Sequence, residues 1–140
     1  MKVYKNGHLA KTKVDGREPN VLTRTHHWLG RSAWAGDEYF NGTIAYVKFW
    51  HGVELQQLDV TELYAPHNKP HHFWDFRGCT AGEAVIDSTN GELMATPMNG
   101  PACGAHGISL DGNDEYVDID GWEWDGTTSI EVYVKHDSIT

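Results

Sequence analysis

Residues 39–50 read Tyr-Phe-Asn-Gly-Thr-Ile-Ala-Tyr-Val-Lys-Phe-Trp, too apolar for a surface loop and without the spacing of a helix. A period of two places Phe40, Gly42, Ile44, Tyr46, Lys48 and Trp50 on one face of a strand. Thr43, Ala45, Val47 and Phe49 fall on the other. Apolar residues on both faces require a strand covered on both sides, or one whose second face is a binding surface. An isolated strand cannot bury them, so the chain must build sheets around it.

The same period dominates the rest of the sequence. Residues 2–5 and 8–13 flank Asn6-Gly7, a dipeptide that favours the type I′ hairpin turn. Turn residues at Asp15-Gly16 and Glu18-Pro19-Asn20 lead to a strand over 21–31 and a loop over 32–38. Only 54–64 has a helical pattern: Leu55, Leu58 and Leu63, with Val60 and Tyr64, form a partial stripe. Asp59, with Glu62 three residues on, fits its N-cap. The polar, proline-flanked stretch 65–72 connects two halves, 1–64 and 73–140. Short strands follow at 73–77, 84–86, 93–95, 107–110, 115–119 and 129–135. In the last, Ile130, Val132 and Val134 share a face. Roughly ten strands and one short helix predict a single all-β, two-sheet antiparallel sandwich.

Charge excludes several function classes. Acidic residues outnumber basic ones 20 to 11, and no Lys/Arg cluster opposes the resulting net charge of −9. A nucleic-acid partner is excluded on that ground, and an anionic membrane surface with it. No apolar run approaches the ~20 residues of a membrane span. Cys79 and Cys103 either close a disulfide, worth ~3 kcal/mol in the chain-entropy model, or stand as two buried thiols.

Two blocks of residues resemble laminin G-like (concanavalin A-like) jelly-roll domains. His27-Trp28-Leu29-Gly30-Arg31-Ser32, Tyr39-Phe40-Asn41-Gly42-Thr43-Ile44 and a short helix ending Glu62-Leu63-Tyr64 are similar to the C-terminal third of such a domain. Phe73-Trp74-Asp75-Phe76, Val85-Ile86-Asp87-Ser88, the run 107–112, Glu115-Tyr116-Val117 and Ser129-Ile130-Glu131-Val132 resemble its N-terminal half. The order is reversed and the central strands are absent, so the chain reads either as a slice through tandem repeats or as a circular permutant. The resemblance implies a jelly roll whose first and last strands are sheet neighbours, easily bridged by the connector. Missing strands leave open edges, from which we expect a homo-oligomer formed by strand exchange.

The resemblance also directs the search for sites. Laminarinase-type glycoside hydrolases share the fold and carry E-x-D-x-x-E on one strand. Here Glu123-Trp124-Asp125 supplies the first two members, but the position three residues further on is Thr128, and in 115–120 Asp118 and Asp120 face away from Glu115, so no catalytic set is expected. Structural calcium is possible in such folds, and Asp87 with Asn90, or Asp111 with Asp114, offers oxygens from turns. The equivalent of the hydrolases' metal-binding strand is Ile44-Ala45-Tyr46-Val47, which lacks the aspartate. Nine histidines include the pairs His26-His27 and His71-His72, but neighbours on a strand point to opposite faces. The aromatic rings remain. Trp34 lies in a loop with Arg31, Asp37 and Tyr39, and Trp122 and Trp124 share a face in a Gly-flanked loop. Flat rings beside polar groups suit sugar stacking, whereas Trp28, Trp50 and Trp74 read as core. The expected function is a noncatalytic recognition or adhesion module of a larger extracellular protein, with carbohydrate as ligand. The alternatives are a purely structural repeat and a degenerate hydrolase.

Overall fold

The computed structural model describes residues 1–61, 69–124 and 126–137. It is an antiparallel all-β chain with one short helix. Strands β1 (Lys2–Lys5) and β2 (His8–Thr12) form the expected hairpin, set apart as a sheet of their own. Asn6 and Gly7 both take positive φ, 50° and 77°, as the type I′ turn demands. The strand expected over 21–31 is instead two: β3 (Leu22–Arg24) and β4 (His27–Leu29). The break at Thr25-His26 lets the chain leave one sheet and enter another. A long β5 (Asn41–His51) follows, then α1 (Gln57–Thr61).

In α1, Asp59 is not the cap. Its carboxylate accepts the backbone N–H of Gln56 at 2.7 Å, the return bond of a capping box in which Gln56 holds the cap position. Leu55 is buried and Leu58 is 73% exposed, so these two members of the expected stripe are not covered alike. Glu62, Leu63 and Tyr64, and the connector's residues 65–68, lie outside the described residues. His72, assigned to that connector, opens β6 (His72–Asp75) and is buried.

The remaining strands are β7 (Val85–Ile86), β8 (Met94–Met98), β9 (Ala102–Gly104), β10 (Gly107–Asp111), β11 (Tyr116–Ile119), β12 (Trp122–Trp124) and β13 (Thr128–His136). Two sheets enclose the core. One runs β13-β5-β10-β9 with β6 also on β5, the other β4-β11-β8-β7. Between them pack Ile44, Val47, Trp74, Ile108 and Leu110 from the first and Ala95, Val117 and Ile119 from the second. A second two-stranded sheet pairs β3 with β12. Strands of the two halves interleave: β5 pairs with β6, β10 and β13, and β4 with β11.

The face assignment of β5 needs one correction. Tyr133 pairs with Tyr46 but Val134 pairs with Ile44, so Ala45 is an extra, bulged residue. Alternation restarts there. Ile44 and Val47 therefore both enter the core, while Tyr46 and Lys48 share the opposite face. There the Glu131 carboxylate accepts from Tyr46 Oη at 2.6 Å and from Lys48 Nζ at 3.2 Å. This bonding satisfies a lysine that is only 9% exposed.

The bulge also divides the far edge of β5. Residues 41–44 pair with β10 and residues 46–49 with β6, while the Ala45 carbonyl accepts Phe76 N–H at 2.9 Å. Gly107, at the start of β10, presses against this point. A Cβ on it would overlap the Ile44 carbonyl, and its φ is +134°. The Cys79–Cys103 disulfide, with Cα atoms 5.4 Å apart, ties β9 to the turn after β6. Gly107→Ala should lower stability by ~2 kcal/mol or more, whereas Gly104→Ala, which meets no atom within 4 Å, should change it by about 0.5 kcal/mol at most. Chemical denaturation of both variants measures the difference, and equal midpoints would show that the bulge contact is not needed.

Candidate functional site

The loop before β5 is held by Phe40 N–H, which donates to the Gly30 carbonyl at 2.8 Å. Within it, Trp34 N–H donates to Ser32 Oγ at 3.1 Å, and Asp37 N–H to the Trp34 carbonyl at 3.4 Å. These bonds shape a turn with Gly36 at φ +97° and leave the Trp34 ring 79% exposed. A large ring with so little cover costs hydration free energy unless something packs on it.

Immediately after this turn the chain lines a cleft of about 610 Å³. Asp37, Glu38, Tyr39 and Asn41 line it from the segment entering β5, Asp111, Gly112 and Asn113 from the end of β10, and His136 from β13 on the other edge of β5. Two groups of residues that looked separate in sequence are thus brought together, because β5 and β10 pair at Asn41 and Asp111. The cleft is rich in acceptors. Asp111 accepts from Asn113 N–H at 2.9 Å and Asn113 Nδ2 at 2.8 Å, and the first of these bonds leads in holding its carboxyl below the usual range.

Arg31 bridges this cleft to a second surface. Its guanidinium lies 4.2 Å from the Trp28 ring, 4.6 Å from Tyr116 and 5.9 Å from Tyr39. Trp28, expected in the core, is half-buried on the outer face of β4, where it pairs with Asp118. Arg31 Nε and Asp118 Oδ1 are both buried without a hydrogen-bond partner among the described residues.

Trp122 and Trp124 stand elsewhere and play a different part. They form β12 rather than a loop, because β3 supplies paired backbone, and their rings turn inward. Trp122 stacks on His27 at 3.7 Å, and Trp124 packs edge-on to Phe49 at 5.0 Å. Trp122 Nε1–H donates to His51 Nε2 at 3.2 Å, and Trp124 Nε1–H to His27 Nε2 at 2.9 Å. An imidazole nitrogen that accepts is unprotonated, so each of these bonds requires a neutral histidine. Arg24 closes the rim, 4.1 Å over Trp124 and donating to its carbonyl at 2.6 Å. Burial lowers the His27 pKa to about 4, and the Arg24 charge acts in the same direction. Deeper still, His72 Nδ1 lies 2.7 Å from Asp87 Oδ2. This histidine constellation has no signature in sequence, since its members come from β4, β5 and β6.

Of the residues considered for calcium, the side chains of Asp87, Asn90 and Asp111 are engaged in hydrogen bonds within the chain. Asp87, 1% exposed, also accepts the backbone N–H groups of Phe73 and Thr89, each at 2.9 Å. Asn90 Oδ1 accepts Glu92 N–H at 3.1 Å, and Asp114 gives its backbone carbonyl to Asn99 Nδ2 at 2.8 Å. Among the described residues, no group of three or more His, Cys, Asp or Glu is arranged to hold a metal ion. Glu123 is exposed on β12, with Thr23 Oγ1 donating to it at 3.4 Å, and Asp125 lies outside the described residues. No protein-family model, no curated protein and no solved structure matches the chain.

The His27 geometry sets a pH dependence. Its folded pKa, about 4, lies below the ordinary 6.5, so acid loads the unfolded chain with a proton first. Its contribution to stability is complete above pH 6.5 and is lost as pH falls toward 4. Melting temperature should decline across that window, and His27→Phe should flatten the slope even though it also removes the Trp124 bond. An unchanged slope in thermal melts of the variant would exclude His27 as the titrating group.

Proposed function

We propose that the chain is a noncatalytic recognition module whose ligand is a carbohydrate, held at the cleft between the loop before β5 and the end of β10. The observation that carries this reading is an exposed Trp34 ring in the same loop that then lines a cleft with carboxylates, amides and a tyrosine. A sugar presents a flat apolar face and a rim of hydroxyls, and those are the two chemistries offered here. Arg31, Asp37 and Tyr39 belong to this reading. Trp122 and Trp124 leave it, since both indole N–H groups are engaged by histidines.

The wider identity is proposed on related grounds. A laminin G-like jelly roll accounts for two packed antiparallel sheets and for the pairing of β5 with β6, the last strand of one half and the first of the other. The Cys79–Cys103 bridge supports an oxidising, extracellular setting within a larger protein.

Screening against a glycan array tests the ligand. Binding should quench tryptophan fluorescence, and Trp34→Ala should weaken it by about tenfold or more, the loss of roughly one aromatic contact. Asp37→Asn should weaken it as well, with circular dichroism unchanged in both. Absence of any glycan binding would favour a purely structural unit. Hydrolysis of a β-glucan that fails on changing Glu123 or Asp118 would favour the degenerate hydrolase.

A further inference from the structure

The second sheet covers the first unequally. Over β5, β6 and β10 the inner face is closed, with Val47, Trp74 and Ile108 each no more than 3% exposed. Over β13 it is open. Ile130, Val132 and Val134 pair with the core residues Phe49, Val47 and Ile44 and so point to the same face. Yet they are 57%, 44% and 46% exposed. Among the described residues β13 pairs with β5 alone, so its other edge presents unpaired backbone groups. Soluble proteins usually blunt such an edge with charged side chains, proline, a bulge on the edge strand itself or a short strand, and of these β13 has the charges of Glu131 and Lys135. β13 runs for nine residues without proline or glycine, and the extra bulged residue lies on β5.

We infer that two copies of this chain associate edge to edge through β13, antiparallel about a two-fold axis at Tyr133, with Glu131 of each copy facing Lys135 of the other. The register follows from parity and charge. A two-fold continuation of the sheet must place inner residues opposite inner residues, so the positions of each pair sum to an even number. Centring on Tyr133 sets Val132 against Val134, Glu131 against Lys135, and the two exposed Tyr133 rings together. Centring on Val134 would set Glu131 against Asp137, a like-charge pair. Centring on Val132 would leave Glu131 opposite Tyr133, with no cation across the seam to add to Lys48 of its own chain. The strand is thus its own complement in one register, which a second copy satisfies and an unrelated strand has no reason to. Lys135 now meets Asp137 at 3.1 Å with both side chains well exposed, a contact weak enough to exchange.

Light scattering across a concentration series tests the association with the chain as it stands. The expected mass at high concentration is twice 15.7 kDa. Val132→Lys, at a position exposed in the single chain, should weaken the dimer by about tenfold or more by placing a charge in the joined face. Tyr133→Cys should cross-link into a covalent dimer under mild oxidation, while Lys11→Cys on the separate hairpin should not. A monomer at every concentration, with no cross-linking at position 133, would overturn the inference and leave the edge to another occupant. So would a dimer that survives Val132→Lys unchanged.

Discussion

The backbone of β5 is shared among three other strands, and that sharing organises the molecule. One edge pairs with β13 along nearly its whole length, and the other is divided between β10 and β6. The Ala45 bulge is where the division falls, and it rotates the strand so that Ile44 and Val47 enter the same core. Gly107 fits only because it lacks a Cβ at that point. The position of β10 then follows, and with it the wall of the cleft that Asp111 and Asn113 supply.

The opposite end of the sandwich is closed by different physics. Instead of aliphatic packing, Trp74, Trp122 and Phe49 enclose the rings of His27, His51 and His72. Each histidine has one defined partner, an indole N–H or the Asp87 carboxylate, and those bonds offset part of the lost hydration, while His27 Nδ1 is buried with no hydrogen-bond partner among the described residues. Such a closure is directional, and its two indole bonds require His27 and His51 to be neutral. It fixes where β12 and β3 lie, and the lowered pKa of His27 makes its contribution to stability fall with acid. The loop that carries Trp34 sits apart, before the start of β5, and its exposed ring is not part of the core.

Much of the architecture could be read in the sequence because it rests on local rules. The hairpin followed from Asn6-Gly7, whose positive φ values are intrinsic to those residue types. Strands β10, β11 and β13 followed from alternation. The breaks between β3 and β4 and the strand character of β12 were not legible, since both depend on a partner a hundred residues distant. The candidate site was half legible. Arg31, Trp34, Asp37 and Tyr39 are close in sequence, and the exposed tryptophan stood out. Asp111 was noticed only as a turn residue, because nothing local links it to Asp37.

By itself, then, the sequence determined the all-β class, the turn positions and the presence of aromatic rings with acidic and amide side chains in loops. Those depend on period, on backbone preference and on residue chemistry, which act over a few positions. Tertiary structure decided which face each β5 residue takes, where one inserted residue reverses every assignment beyond it. It turned Trp122 and Trp124 inward to histidines, joined Asp37 to Asp111 across one cleft, and left β13 uncovered on the face that the rest of its sheet buries. Each of these is a matter of register between distant segments, and register is fixed only when the whole set of strands pairs at once.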